Sequence, residues 1–218
     1  MPVVVFQKNN ISRASLFVLI PKTGGSALVS FFQMIGGKLF LHNENKFILD
    51  FMKCPTQHFH YDLLNKFLNI EEFSFSFAVV RNPISRAKSD YLWSYRNSPD
   101  LSRIPNFEEW FTHKLEKYAD NSYILDNHIR PQSEFVGEGI KKFYRYEDGL
   151  ESIAEDVLSN MSIRINMKEE QNFVPLVNTA AQNSKRNIKS DDVEVSSDAM
   201  GLLMEFYKED FERFYPTF

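Results

Sequence analysis

The chain has 218 residues, enough for one generous α/β domain and a tight fit for two. Its 43% hydrophobic and 25% charged residues argue against disorder, and its net charge of −4 argues against a protein that coats nucleic acid. Cys54 is the only cysteine, which excludes an intramolecular disulfide and a thiolate metal cluster and favours a reducing compartment. Neither a signal peptide nor an apolar run of membrane-spanning length is found, so the sequence predicts a cytoplasmic protein without a membrane span.

Apolar runs and amphipathic patterns alternate along the chain. A strand is predicted over SLFVLI, followed by helical spacing from Ser26 to Ile35 that the glycines at 36 and 37 end. HFHYDLLNKFL predicts a loop leading into a short helix, FSFSFAVV at 73–80 a second strand, and ISRAKSDYLWSYR a helix. Further patterns predict an amphipathic helix over NFEEWFTHKLEKY, a strand and helix over IKKFYRYEDGLESIAEDVL, and a closing helix over DAMGLLMEFYKEDFERF.

This alternation predicts a single α/β domain over residues 1–218. Strands that alternate with helices favour a three-layer arrangement, a mainly parallel central sheet with helices on both faces. Ligands of such folds bind at the carboxyl ends of the strands. Two turn motifs, at residues 21–26 and 81–83, fall at predicted strand ends, so we expect the functional side chains there.

The first motif, PKTGGS, stands where the first predicted strand turns into a helix. Backbone N–H groups and the helix dipole at such a place favour a phosphate-like anion. Gly24 and Gly25 allow the backbone to approach it closely because neither carries a Cβ. Thr23 and Ser26 add hydroxyl donors, and Lys22 adds a positive charge. A turn with a solvated lysine is the alternative, and an ordinary ATP or GTP hydrolase is disfavoured because a Walker A lysine follows its glycines.

The second motif, RNPISRAKSDY, places Arg81 at the end of the second predicted strand. A guanidinium can bind a phosphate through two parallel hydrogen bonds, and Ser89, eight residues on, can donate to the same group from the helix. The alternative is a structural arginine that satisfies helix-end carbonyls. Two anion-binding turns in one domain predict a ligand with two separated anionic groups.

PKTGGS followed by RNPISRAKSDY resembles the sulfotransferases that use 3′-phosphoadenosine 5′-phosphosulfate (PAPS), and within them the branch that sulfates carbohydrates. NHIRPQSEFV, FYRYEDGLESI and FYKEDFERF resemble further segments of that branch, so the resemblance covers most of the chain. It implies a P-loop-like nucleotide-binding core and sulfuryl transfer from PAPS, as co-substrate, to an acceptor hydroxyl, above all that of a saccharide. Golgi members of the family carry an N-terminal anchor that this sequence lacks, which predicts a short soluble form.

The resemblance assigns the two motifs to the two ends of the nucleotide. In the family the first motif binds the 5′-phosphosulfate and the second the 3′-phosphate. The residues carried over are Lys22, Thr23, Gly24, Gly25 and Ser26 for the 5′ end, and Arg81 and Ser89 for the 3′ end. A basic loop of the family has a counterpart in QNSKRNIK, where Lys185 and Arg186 are candidate contacts and surface solvation is the alternative.

Sulfuryl transfer builds negative charge on the bridging oxygen as the nucleotide leaves, much as in phosphoryl transfer. A lysine beside that oxygen stabilises the charge as it develops, which is the catalytic role predicted for Lys22. This chemistry demands no divalent metal, and Asp126 and His128 alone are too few ligands for one.

The acceptor hydroxyl needs a general base, for which histidine has a suitable pKa. QHFHYDLLNKF lies between the two motifs, where the uronyl 2-O-sulfotransferases carry their catalytic histidine. An ungapped match places His58 on that base, and a shifted match selects His60. A carboxylate or His128 is the remaining candidate.

Aromatic side chains offer a further site for a sugar. Trp93, Tyr95 and Trp110 could stack on one, although their helical spacing is more typical of a core.

Two other functions stay open: a nucleotide-dependent phosphotransferase, and a nucleotide-binding module without catalysis. Oligosaccharide, lipid-linked sugar, small alcohol and peptide tyrosine are all compatible acceptors, and the sequence leaves the oligomeric state open.

Overall fold

The computed structural model describes residues 2–8, 11–42, 53–98, 100, 103–164 and 189–216. Within these ranges five strands form one sheet of order β3-β1-β2-β4-β5. The strands are β1 (Val3–Lys8), β2 (Ile11–Val18), β3 (Lys38–Phe40), β4 (Phe75–Val80) and β5 (Lys142–Arg145). The helices of the described part are α1 (Gly25–Met34), α2 (Tyr61–Phe67), α3 (Pro83–Ser94), α4 (Phe107–Asp120), α5 (Leu150–Asn160), α6 (Ser197–Phe206) and α7 (Lys208–Phe214). The α/β class predicted from the sequence is confirmed.

The sheet is mixed, which corrects the prediction of a mainly parallel sheet. β2 pairs in parallel with β4, and β4 with β5, as expected of strands that are joined by helical crossovers. β1 pairs antiparallel with both β2 and β3. Only residues 9 and 10 separate β1 from β2, a connection too short for a parallel crossover. The prediction of parallel strands therefore applies to β2, β4 and β5, the three that precede the motifs and the Glu-Asp segment.

Apolar side chains cover both faces of the sheet. In β2, Phe17 faces a cluster formed with α1 and α5, whereas Leu16 and Val18 face a cluster formed with α2 and α7. β4 is buried along its whole length, as a central strand between two layers should be. The rings of Phe17 and Phe77 stack between neighbouring strands with centroids 4.6 Å apart. Helices therefore lie on both faces, as the alternating pattern predicts.

A third apolar cluster joins α3, α4, α6 and α7 beside the sheet. Trp110 is 4% exposed and belongs to this cluster, so it is a core residue and not a platform for a sugar. The closing helix predicted over DAMGLLMEFYKEDFERF is two helices, because the backbone leaves helical geometry at Tyr207. No helix in the described ranges is long and apolar enough to cross a membrane.

Candidate functional site

The three parallel strands end at one edge of the sheet, and the polar segments that follow them are in contact. Arg81 Nη1, after β4, donates to the carbonyl oxygen of Lys22, after β2, at 3.3 Å. The guanidinium carbon of Arg81 lies 4.5 Å from the ring centre of Tyr146, which follows β5. A Cβ added to Gly24 would lie 3.0 Å from Cε2 of the same ring. Both predicted motifs are thus adjacent in space, and Tyr146 contacts both.

The hinge after β2 has a backbone that few residues adopt. Lys22 has φ of 69° and Gly24 has φ of 85°, both in the left-handed region, which is uncommon for a residue with a Cβ such as Lys22. Helix α1 begins at Gly25, and no side chain among the described residues caps its N-terminus. Its first turn also contains no acidic residue. The N–H groups and the positive end of the helix dipole therefore meet no negative side chain of that turn.

The two glycines of the hinge are tightly packed. A Cβ added to Gly24 would lie 2.9 Å from Cδ2 of Leu150, and one added to Gly25 would lie 2.8 Å from Cγ of Leu19. The positive φ favours glycine at Gly24, where the nearest atoms are the ends of the Leu150 and Tyr146 side chains, whereas a Cβ at Gly25 would meet the branch carbon of Leu19.

The two hydroxyls of the hinge differ in environment. Thr23 is buried and donates to the carbonyl oxygen of Ile20 at 2.9 Å, so it fixes the shape of the hinge. Ser26 is exposed in the first turn of α1. Ser26 is therefore the hydroxyl that faces outward at the helix N-terminus.

The ammonium group of Lys22 lies over an aromatic ring beside other cations. Its Nζ is 4.4 Å from the ring centre of Trp93, and the guanidinium carbon of Arg96 is 3.6 Å from that centre. Burial lowers the pKa of Lys22 to about 8; Asp90 opposes this shift, and Arg81 and Arg96 add to it. An anion bound beside this lysine would favour its charged form.

The turn at Arg81 is braced by side chains from distant segments. The Gln132 side chain accepts from the Arg81 backbone N–H at 2.8 Å and donates to the Arg81 carbonyl at 2.7 Å. Asn82 caps α3, and its own N–H donates to Glu147 Oε1 at 2.9 Å. Tyr215 donates its hydroxyl to Glu147 Oε2 at 2.8 Å. Gln132 and Glu147 lie in two of the three weaker segments of the sequence resemblance, and Tyr215 directly follows the third.

Gln132 is itself held by a buried carboxylate. Asp210 of α7 is fully buried and accepts from the backbone N–H groups of Gln132 and Ser133 at 2.8 and 2.7 Å. The Nε of Arg81 is buried and has no hydrogen-bond partner among the residues that the structure describes. Burial also lowers the pKa of Arg81. A braced guanidinium with an unused N–H is an incomplete arrangement that an anion would complete.

Helix α3 turns one face toward the hinge. Arg86 is buried, and it donates from Nε to the Pro21 carbonyl at 3.1 Å and from Nη2 to the His128 carbonyl at 2.6 Å. Ser89 is buried three residues after Arg86 and four before Trp93, a spacing that puts all three side chains on one side of the helix. Ser89 therefore lies on the helix face that Arg86 and Trp93 direct toward the first motif.

The histidines proposed as bases lie in buried surroundings. The His58 ring packs edge-on against the His128 ring with centroids 5.5 Å apart, and the His60 ring lies 5.6 Å from that of Tyr123. Burial lowers the pKa of His58 well below its ordinary value and that of His60 to about 4. The Nδ1 atoms of both are buried and unpaired within the described part of the chain. Both rings are consequently neutral at pH 7.

A pair that the sequence analysis does not identify lies next to them. His128 Nδ1 is 2.6 Å from Asp90 Oδ1. The Asp90 side chain is 6% exposed and the His128 side chain 18%. Burial alone would raise the pKa of Asp90, but His128 and Lys22 outweigh it and leave that pKa below its ordinary value. The only sequence signal for this pair is an acidic residue directly after Ser89 in a helix that is otherwise basic at its start.

The remaining predicted contacts fall outside the described residues. Lys185 and Arg186 lie within residues 165–188, of which the structure describes none. Among the described residues no group of three or more histidine, cysteine, aspartate and glutamate side chains is placed to hold a metal ion.

Comparison with known proteins gives the family of the chain. A family model described as the Sulfotransferase family matches residues 5–216. The match spans nearly the whole chain, so the protein belongs to the sulfotransferase family, which includes carbohydrate sulfotransferases. This confirms the family that the motifs indicate, and it supports an enzyme of sulfuryl transfer. Searches of curated proteins and of solved structures gave no match.

Proposed function

We propose that the protein transfers a sulfuryl group from PAPS to a hydroxyl of a carbohydrate. The observation that carries this proposal is the hydrogen bond of 3.3 Å from Arg81 to the Lys22 carbonyl, which joins the two predicted anion-binding turns at one sheet edge. PAPS carries two separate anionic groups, a 5′-phosphosulfate and a 3′-phosphate, and so offers one group to each turn. Family membership supports the reaction class.

The 5′-phosphosulfate is proposed to bind at the hinge. The uncapped N-terminus of α1 offers backbone N–H groups and a positive dipole end, with Ser26 exposed beside them. Gly24 adopts the left-handed conformation that leads into this helix, and the missing Cβ atoms of Gly24 and Gly25 let Leu150 and Leu19 pack against the hinge. In this arrangement Thr23 holds the hinge through its bond to Ile20, and Lys22 supplies the positive charge.

The 3′-phosphate is proposed to bind Arg81 and Ser89. The unpaired Nε–H of Arg81 supports this assignment, because a buried N–H without an acceptor is disfavoured and a phosphate oxygen would accept from it. Gln132 and Tyr146 fix the position of this arginine before any ligand arrives. Ser89 would add its hydroxyl from α3.

The transfer itself is a displacement at sulfur. A bond forms between the acceptor oxygen and sulfur, the bond from sulfur to the bridging oxygen breaks, and the electron pair leaves on 3′,5′-ADP. The ammonium of Lys22 is proposed to neutralise the charge on the bridging oxygen, and a site that already holds this cation in place lowers the barrier without reorganising. The acceptor proton passes to a histidine, for which His58 is the prediction from the sequence and His60 its alternative.

Three further parts of the proposal have separate support. The family match over residues 5–216 supports a single domain with a P-loop-like core. The single cysteine supports a cytoplasmic location. The resemblance of NHIRPQSEFV to carbohydrate sulfotransferases supports a saccharide acceptor, and Trp93, half-buried beside Lys22, offers a ring for stacking on a sugar.

Thermal unfolding with nucleotides tests the donor. At 100 times its Kd, 3′,5′-ADP is expected to stabilise the protein by about 2.7 kcal/mol, while 5′-ADP and ATP without magnesium stabilise it less. Arg81→Ala should abolish that difference. A response to ATP alone would favour a phosphotransferase, and a response to no nucleotide would overturn the proposal. Transfer of ³⁵S from PAPS to uronic-acid oligosaccharides, compared with tyrosine peptides and small alcohols, then tests the acceptor.

A further inference from the structure

His128 follows a turn of backbone that is disfavoured for ordinary residues. Leu125, Asp126 and Asn127 have φ of 52°, 55° and 64°, so three successive residues with a Cβ lie in the left-handed region. Such a conformation persists only where the surroundings hold it, and it is concentrated at functional sites. The left-handed conformation of this turn is therefore consistent with a functional role for the residue that follows it, His128.

Buried hydrogen bonds hold this turn in place. Asn127 is fully buried, donates from Nδ2 to the His58 carbonyl at 2.9 Å and accepts from Arg130 Nε at 3.1 Å. The next residue, His128, has its carbonyl bound by Arg86, whose Nε is bound to the Pro21 carbonyl beside Lys22. One guanidinium thus connects the backbone of His128 to the backbone of the hinge.

The ring of His128 is oriented as well as its backbone. Nδ1 lies 2.6 Å from Asp90 Oδ1, and a carboxylate accepts hydrogen bonds, so the ring proton lies on Nδ1 and the lone pair on Nε2. Asp90 is buried, whereas the His128 side chain is 18% exposed. Asp90 directly follows Ser89 on α3, and Arg86 of the same helix donates to the carbonyl oxygens of both Pro21 and His128, which places the histidine beside the hinge where the transfer is proposed.

We propose that His128 is the catalytic base that takes the proton of the acceptor hydroxyl, and that Asp90 is the positioning residue that orients its ring. This inference rests on the proposed sulfotransferase function and specifies how the acceptor is activated. The acceptor O–H proton moves to His128 Nε2 as the oxygen–sulfur bond forms. The bridging bond breaks and its electron pair leaves with 3′,5′-ADP beside Lys22. The imidazolium is stabilised by the Asp90 carboxylate until its proton passes to solvent.

The surroundings of His58 suit it less well to this task. His58 is 7% exposed, its Nδ1 is buried, and the pKa of the ring is lowered by burial first and by His128 second. A base must reach the acceptor oxygen directly or through one water. His58 instead packs edge-on against the His128 ring, at 76° between the ring planes, and its backbone carbonyl anchors Asn127.

Four single variants of the full chain test the inference. His128→Ala removes the base, Asp90→Asn removes the orienting carboxylate, and His58→Ala removes the competing candidate. His113→Ala, an exposed histidine on α4, is the matched control. Release of 3′,5′-ADP from saturating PAPS is followed with uronic-acid oligosaccharides as acceptor and with water alone. Calorimetric titration with 3′,5′-ADP and thermal unfolding report binding and folding separately.

The expected result is a selective loss of turnover. His128→Ala should lower kcat about 10²–10⁴-fold with the Kd for 3′,5′-ADP unchanged, and added imidazole should restore part of the rate. Asp90→Asn should lower kcat without raising KM for PAPS, which a merely structural role would not do. His58→Ala should lower kcat less than His128→Ala does.

Other outcomes overturn the inference, and they are distinguishable from failure of the proposed function. A folded His128→Ala protein with wild-type turnover would remove His128 as base while the function stands, and a larger loss in His58→Ala would return the role to His58. Should Asp90→Asn fail to fold, ¹⁵N NMR of the wild-type imidazole decides, since a proton on Nε2 would contradict positioning by Asp90. A wild-type protein that neither binds 3′,5′-ADP nor releases it from PAPS would overturn the function, and the inference with it.

Discussion

The hinge at residues 21–26 and the turn at residues 81–83 occupy equivalent places, each between a parallel strand and a helix. They differ in how their backbone groups are hydrogen-bonded. Asn82 caps α3, and Gln132 binds both backbone groups of Arg81. At the hinge no side chain caps α1, and the left-handed residues Lys22 and Gly24 shape the chain instead.

This difference indicates two ways of binding an anion. A turn whose N–H groups are already bonded can contribute only a side chain, which at the second motif is the guanidinium of Arg81. A turn whose N–H groups meet no cap can contribute its backbone, which at the first motif is shaped by the left-handed residues Lys22 and Gly24. Four experiments test this contrast.

Removal of the Lys22 ammonium should have the largest effect. Lys22→Ala is expected to lower kcat about 10²–10³-fold, because the bridging oxygen loses the cation that stabilises it, while Arg81 still binds nucleotide. Release of 3′,5′-ADP from PAPS measures the effect, with Lys117→Ala, an exposed lysine on α4, as control. Equal turnover in Lys22→Ala and Lys117→Ala would show that Lys22 takes no part in the chemistry.

A methyl group added at Gly24 should destabilise the fold. Gly24→Ala meets both a positive φ and contacts of 2.9 to 3.1 Å with Leu150 and Tyr146, whereas Gly36 has φ of 88° with nothing within 4 Å of its Cβ position. Comparison of the two variants therefore separates the cost of steric overlap from the cost of the positive φ. We expect Gly24→Ala to lower the free energy of unfolding by about 2 kcal/mol more than Gly36→Ala in urea titrations. Equal losses would mean that the hinge is not packed as described.

Arg81→Lys should affect one end of the nucleotide. Lysine keeps the charge but loses the planar fork, so the Kd for 3′,5′-ADP should rise about tenfold while that for 5′-ADP changes little. Arg145→Lys is a matched control, because Arg145 stands at the end of a strand, as the last residue of β5, and lies over a tyrosine ring, with its guanidinium carbon 5.2 Å from the centre of the Tyr215 ring. An equal rise in Kd for both nucleotides would contradict the assignment of Arg81 to the 3′-phosphate.

The smallest expected effect concerns pH. Since the pKa of Lys22 is about 8 in the folded protein and ordinarily 10.5, the folded state holds this proton less tightly than the unfolded chain, so the Lys22 contribution to the free energy of unfolding increases between those values. The ammonium strengthens nucleotide binding, so the affinity for nucleotide should fall by no more than about tenfold from pH 7 to 9. In Lys22→Met this fall should vanish; its persistence would assign the dependence to another group.

The sequence predicted what is local in this structure. The predicted strands at residues 15–20 and 73–80 end directly before Pro21 and Arg81, where the two motifs begin, so both turns were identified together with the helices after them. In the structure β2 begins earlier, at Ile11, and ends at Val18. β1 and β3 were missed because a sequence pattern alone does not show which segments pair antiparallel. β3 has only three residues and is specified by its pairing with β1.

The braces and the Asp90–His128 pair were missed for a related reason. Asp90 in a helix resembles any solvated carboxylate, and its partner His128 lies 38 residues further along the chain. Gln132 and Glu147 likewise act on the Arg81 turn from 51 and 65 residues away. The role of a polar side chain depends on its partner, and a single sequence does not show which distant residues are in contact.

The buried bond between Asp210 and the Gln132 backbone has a consequence for how the protein is made. Arg81 acquires its brace from Gln132, and Gln132 is fixed by a residue 78 positions later, in α7. During synthesis a nascent chain that has not yet emerged past Asp210 carries both motifs without the frame that holds the second. Contacts of such long sequence separation form late. A nascent chain is therefore expected to bind nucleotide only once the fold is complete, and not as soon as both motifs have been synthesised.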